Sequence, residues 1–179
     1  MTLVLRVIRQ HRWDSPGQYE WLGEGDIPAD PLSDIADTSD NCLSVWFVDN
    51  EKEGLERVLA ALAANRDKAG NLDYMLFAQS HLEAAGIEFR QTSGATPDKH
   101  VNEQHRDLTH LSATKVLALT ERVWHDHREP KRVKKSMVIQ LVAEGVRDRR
   151  ISTSRLRPEL LADVRRYLED KADEPPKPR

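Results

Sequence analysis

Leu3-Val4-Leu5-Arg6-Val7-Ile8 places five aliphatic side chains in six positions, and the reading of that run decides the fold. It is too short for a helix of ordinary length, so it predicts a mostly buried strand. Leu43-Ser44-Val45-Trp46-Phe47-Val48 repeats the pattern, apolar on both faces. Asp73-Tyr74-Met75-Leu76-Phe77 predicts a third strand, and the alternation in Ile87-Glu88-Phe89-Arg90-Gln91-Thr92 a fourth. Between the second and third, Asn50 and Glu53 have the spacing of a capping box, and Leu55, Val58, Leu59 and Leu62 recur at helical spacing up to Asn65. Gln79 to Ala85 predicts a short helix closed by Gly86. Strand, helix, strand, helix, strand is the rhythm of strands joined by right-handed crossovers. The expectation is an α/β or α+β fold with a small, mostly parallel sheet of about four strands in residues 3–92, followed by a helical C-terminal half.

From His11 to Asp40, Pro16-Gly17, Gly23, Gly25, Pro28 and Pro31 predict a long loop with room for a short helix around Leu32 to Ala36. Beyond Ser93-Gly94, Thr96 can cap and Pro97 suits a first turn, which predicts a long helix to about Trp124, one bent rod or two pieces divided near Ser112. Pro130 ends that element. Val133 to Ala143, stopped by Gly145, and Pro158 to Leu168 predict two further helices. Residues 172–179, with Pro175-Pro176-Lys177-Pro178, have almost no apolar content and predict a disordered tail.

The charge divides the chain in the same places. Of 179 residues, 27 are Lys or Arg and 30 are Asp or Glu, for a net charge of -3. Residues 1–127 carry -9, whereas residues 128–168 carry +7. This predicts an acidic α/β body over residues 1–127, containing the long helix, and a basic helical extension over 128–171 packed on or beside it. No stretch approaches the roughly 18 apolar residues of a membrane span, so no membrane partner is expected. The N-terminus lacks the pattern of a secretory signal. One cysteine, Cys42, excludes an internal disulfide framework and suits a reducing compartment, so a cytoplasmic protein is expected.

The basic extension is the leading candidate site. Lys131, Arg132, Lys134 and Lys135 form one cluster, and Arg147, Arg149, Arg150, Arg155 and Arg157 another, enough cations to neutralise several phosphates or to meet an acidic protein. No helix-turn-helix spacing, zinc finger or RNP-type motif accompanies them, and Tyr167 is the only aromatic residue beyond position 128. The same cations could instead lie against the protein's own acidic body. Trp13 and Trp21, in the acidic loop, either pin that loop or anchor a partner.

Enzymatic templates are missing. Gly23-Glu24-Gly25 fails the dinucleotide fingerprint at Pro28, and neither a phosphate-binding Walker loop, G-x-S-x-G nor H-E-x-x-H occurs. His100, His105 and His110, five apart, would diverge on a helix. Glu103, Asp107 and His110, at i, i+4 and i+7, would share one helical stripe and could offer two carboxylates and an imidazole to a divalent metal ion. The sequence thus favours a non-catalytic cytoplasmic accessory or regulatory protein, without cofactor, that binds another protein or a nucleic acid through its basic C-terminal segment. The alternative is a small metal-dependent hydrolase or nuclease built on the Glu103, Asp107, His110 stripe.

Overall fold

The computed structural model describes residues 2–13, 20–23, 25–49, 52–126 and 131–172. The expected Asn50 cap, the Pro130 break and the tail from residue 173 lie outside them. Among the described residues six strands form one sheet: β1 (Leu3–Val7), β2 (Leu43–Val48), β3 (Leu72–Ala78), β4 (Glu88–Gln91), β5 (His105–Thr109) and β6 (Lys131–Val133). Their order is β4-β5-β2-β1-β3-β6, and every neighbouring pair is antiparallel. Among the described residues seven α-helices accompany them: α1 (Ala29–Ile35), α2 (Lys52–Ala64), α3 (Ser80–Ala84), α4 (Lys99–Glu103), α5 (Ala113–His125), α6 (Lys135–Arg147) and α7 (Pro158–Ala172).

This arrangement corrects the mostly parallel sheet of about four strands. The rhythm of strand, helix and strand is real, and α2 does cross between two mutually parallel strands, β2 and β3. β1 lies between them, however, antiparallel to both, with Leu5 opposite Trp46 on one side and Leu76 on the other. The unit is a split βαβ, in which no parallel strands touch. The aliphatic density of β1 reports something else, that both faces of the sheet are covered. Val4 and Leu5 are both fully buried, in different cores. Leu5 packs with Val58, Leu72, Val142 and Leu160 under α2, α6 and α7. Val4 packs with Val45, Phe77, Leu108 and Leu119 under α5.

The expected long helix from Pro97 to Trp124 is also corrected. It is a one-turn helix, α4, then strand β5, then α5. Asp98, not Thr96, caps α4, accepting from the N–H groups of His100 and Val101. Thr96 instead binds the Asn102 side chain through both its N–H and its hydroxyl, at 2.8 and 2.7 Å. Ser112 caps α5 by accepting from Lys115 N–H. The helix expected from Val133 starts later, at Lys135, because Lys131–Val133 pairs with β3 as the opposite edge of the sheet. Among the described residues no helix is long and apolar enough to cross a membrane.

Candidate functional site

The basic residues fall at the two ends of α6. Lys131 and Arg132 lie on β6, and Lys134 and Lys135 begin the helix. Arg147, Arg149 and Arg150 mark its far end, about 18 Å away at 1.5 Å per residue. Arg155 and Arg157 follow in the connection to α7, which folds back against α6. The helix holds its place through an apolar face that includes Val138, Leu141 and Val142, buried against α2 and the sheet, and this geometry keeps the cations at its ends near water.

Five of the nine cations meet carboxylates. Arg132 grips Asp73 in a fork, Nε to Oδ1 at 2.6 Å and Nη2 to Oδ2 at 2.9 Å, which holds the Asp73 carboxyl below its usual range. Lys135 reaches Asp163 at 3.5 Å. Arg150 and Arg147 share Asp148, at 2.9 and 3.7 Å, and hold that carboxyl low as well, Arg150 more strongly. Arg157 approaches Asp67 at 3.5 Å, with both side chains largely in solvent. Lys131, Lys134, Arg149 and Arg155 are exposed and have no carboxylate partner among the described residues. Arg149 adopts a left-handed backbone, φ 59°, where α6 turns off.

Two concavities adjoin these cations. Asn65, Pro97, Ser154, Arg155 and Arg157 help line a cleft of about 410 Å³ where the α6–α7 connection meets the end of α2. Lys135, Met137, Gln140, Arg166 and Tyr167 help line a groove of about 390 Å³ between α6 and α7, and Met137 in its wall is 44% exposed. The groove also contains Asp163 and Asp170, so its lining is mixed in charge and includes the apolar Met137 and Ile139.

The tryptophans separate. Trp13 is 4% exposed, its Nε1–H donates to Asp34 at 2.9 Å, and its ring lies 6.3 Å from that of Trp124. It pins the loop to α1 and α5 and offers nothing to a partner. Trp21 is 72% exposed.

Glu103, Asp107 and His110 do not form a stripe, because they do not share a helix. Glu103 ends α4, Asp107 belongs to β5, and His110 turns away after it with φ 52°. Glu103 neighbours His100 at 3.6 Å, Asp107 accepts from the Ser44 hydroxyl at 3.2 Å, and His110 faces Glu88 at 3.2 Å. Among the described residues no three His, Cys, Asp or Glu side chains converge on a point where a metal ion could sit. The helical geometry behind the metal-dependent alternative is therefore overturned.

One polar array escaped the sequence. On the face of the sheet under α2, Thr92 Oγ1 lies 2.8 Å from His105 Nδ1, His105 edges onto Trp46, and Ser44 bonds Asp107. Burial pushes His105 below the ordinary imidazole value, against the pull of Asp107. The spacing of His105 and Asp107, two apart, was the available signal, since it puts both on one face of a strand but on different faces of a helix. His105 Nε2 stands 3.9 Å from Asp107, beyond hydrogen-bond reach, so the array is not a proton relay. No family model, no curated protein and no solved structure matches this chain.

Proposed function

We propose that this is a non-catalytic, cytoplasmic accessory protein that docks an anionic macromolecule on the surface formed by β6, α6 and α7. The observation that carries this reading is the set of four exposed cations without carboxylate partners among the described residues, Lys131 and Lys134 at one end of α6 and Arg149 and Arg155 at the other. Cations serving only as internal glue would be matched to the protein's own acids. Met137 and Tyr167 in the groove beside Lys135, at the first of these ends, favour an acidic protein segment with an apolar stripe over a phosphodiester backbone, which has no use for a thioether.

The test is fluorescence anisotropy at low salt with three probes: a labelled DNA duplex, a labelled single strand, and an amphipathic Glu/Leu helix. Binding of the helix, weakened by salt and lost when Lys131, Lys134, Arg149 and Arg155 are changed to Gln, supports the reading. Preference for either nucleic acid, with a salt slope that falls by about one unit per phosphate contact removed, keeps the surface and changes the partner class. No binding of any probe, or binding indifferent to the fourfold variant, overturns it.

A further inference from the structure

The two edges of the sheet are not alike. β6 ends one side with Lys131, an exposed cation without a carboxylate partner among the described residues, which repels a second copy laid alongside. β4 ends the other with Glu88-Phe89-Arg90-Gln91, all exposed. Phe89 is 38% exposed, and its ring lies 4.8 Å from that of Phe47. Arg90 has no carboxylate partner among the described residues, and Glu88 meets the exposed His110 at 3.2 Å.

The hydrogen-bond phase of this edge follows from one contact. Phe47 N–H donates to the Gln104 carbonyl at 2.9 Å. Opposed residues of an antiparallel pair alternate between exchanging both bonds and exchanging none, so residues 104, 106 and 108 turn their backbone groups toward β2, and 105, 107 and 109 toward β4. Arg90 lies opposite Asp107 and Glu88 opposite Thr109. The backbone groups of Glu88 and Arg90 are therefore committed to β5, while the N–H and C=O of Phe89 and Gln91 face outward.

We propose that β4 docks a second copy of this chain, antiparallel, about a two-fold axis through Phe89. In that register each Phe89 N–H donates to the other copy's Phe89 carbonyl, which satisfies both outward groups. Glu88 of each copy falls directly opposite Arg90 of the other, twice by symmetry, as close-spaced pairs without backbone bonds between them. Gln91 N–H meets the other copy's Ile87 carbonyl, Ile87 N–H being already bonded to Leu82 O at 2.9 Å. The three residues Glu88-Phe89-Arg90 are thus complementary to themselves in reverse, and the occupant this edge fits is its own copy. The contact is short, so the dimer is weak, with Kd of about 10–100 µM.

The experiment is sedimentation velocity of the full chain over a concentration range spanning that Kd. A monomer–dimer equilibrium is expected. Glu88→Arg and Arg90→Glu should each weaken it by tenfold or more, since each sets like charges against one another at both contacts. The double variant Glu88→Arg with Arg90→Glu should restore it, and an equimolar mixture of the two single variants should form a heterodimer. Circular dichroism confirms that each variant is folded. A chain that stays monomeric throughout the range, a dimer unmoved by either reversal, or a double variant that fails to recover overturns the proposal, and the first of these leaves the edge to a strand from a foreign chain.

Discussion

Arg132 and Asp73 sit directly opposite one another on β6 and β3, joined by two hydrogen bonds of 2.6 and 2.9 Å. A three-residue edge strand has few ladder bonds of its own, so this fork helps fasten β6 to the sheet, together with the buried Val133 and the Lys135 N–H that donates to Asn71 Oδ1 at 3.0 Å. Asp73 also accepts from Gln10 N–H at 3.4 Å.

The Arg132 bonds hold the Asp73 carboxyl below its ordinary value. A carboxyl lowered by folding contributes stability that is present above its unfolded pKa and is lost as pH falls through the folded one. Wild-type melting temperature should therefore fall from about pH 4 downward. In Asp73→Asn the melting temperature at pH 7 should be lower, and its further fall in acid shallower. Thermal melts between neutral and strongly acidic pH check this, and an unchanged acid limb would refute it.

Asp98 carries two duties with one carboxylate. It receives Arg57 Nε at 2.7 Å and Nη2 at 3.0 Å, and it caps α4. Its side chain is 4% exposed, and burial pushes its pKa up, but the Arg57 bonds and the cap N–H groups pull it net downward. Asp98→Ala should cost about 2–4 kcal/mol, from loss of the cap and exposure of backbone donors to an apolar surrounding. Asp98→Asn keeps a capping oxygen and should cost less. Urea melts of the two variants should rank in that order.

The strands β1 to β4 were legible because their apolar positions are dense or alternate, and the order of elements followed from that. Strand direction was not legible, because burial on both faces gives the same aliphatic run whichever way the neighbours point. β5 was hidden for a different reason. His105-Arg106-Asp107-Leu108-Thr109 has one strongly apolar residue, and its identity as a strand comes from pairing with Leu43–Trp46 and Glu88–Gln91, far along the chain. The basic surface could be counted from the sequence, but not its neutralisation. The partner of Arg132 lies 59 residues upstream, and only the sheet register brings it there.

Gly145 reads as a helix stop, yet α6 continues through it to Arg147. The residue is small for a packing reason. A Cβ there would lie 2.7 Å from Cδ1 and 3.2 Å from Cγ1 of Ile151, which is buried in the core, while the Gly145 carbonyl accepts from both Arg150 and Ile151 N–H. Gly145→Ala should gain about 1 kcal/mol of helix propensity and lose about 1–3 kcal/mol to overpacking. A net loss of stability is expected from the single variant in urea melts. Adding Ile151→Val removes Cδ1, the atom in closest conflict, so the double variant should be less than additive in its loss.

His105 supplies the last expectation, and it lies in a different pH range from Asp73. Burial holds its imidazole below the ordinary value, with Asp107 opposing, so the folded protein keeps it neutral where the unfolded chain would begin to protonate it. Between those two pKa values the unfolded state binds the extra proton. Stability attributable to His105 is thus complete above the unfolded value, near 6.5, and declines as pH falls below it. His105→Gln, which can still bond the Thr92 hydroxyl but does not titrate, should flatten the stability profile just below about pH 6.5 while leaving the steeper carboxylate-driven loss below about pH 4 in place. Trp46 lies 5.0 Å from the His105 ring, so its fluorescence in the folded wild type should report the folded-state titration of His105, at lower pH than the onset of the stability loss, and show none in the variant. A wild-type profile flat across that window would show that His105 protonates as readily folded as unfolded, and would place its ring in contact with water.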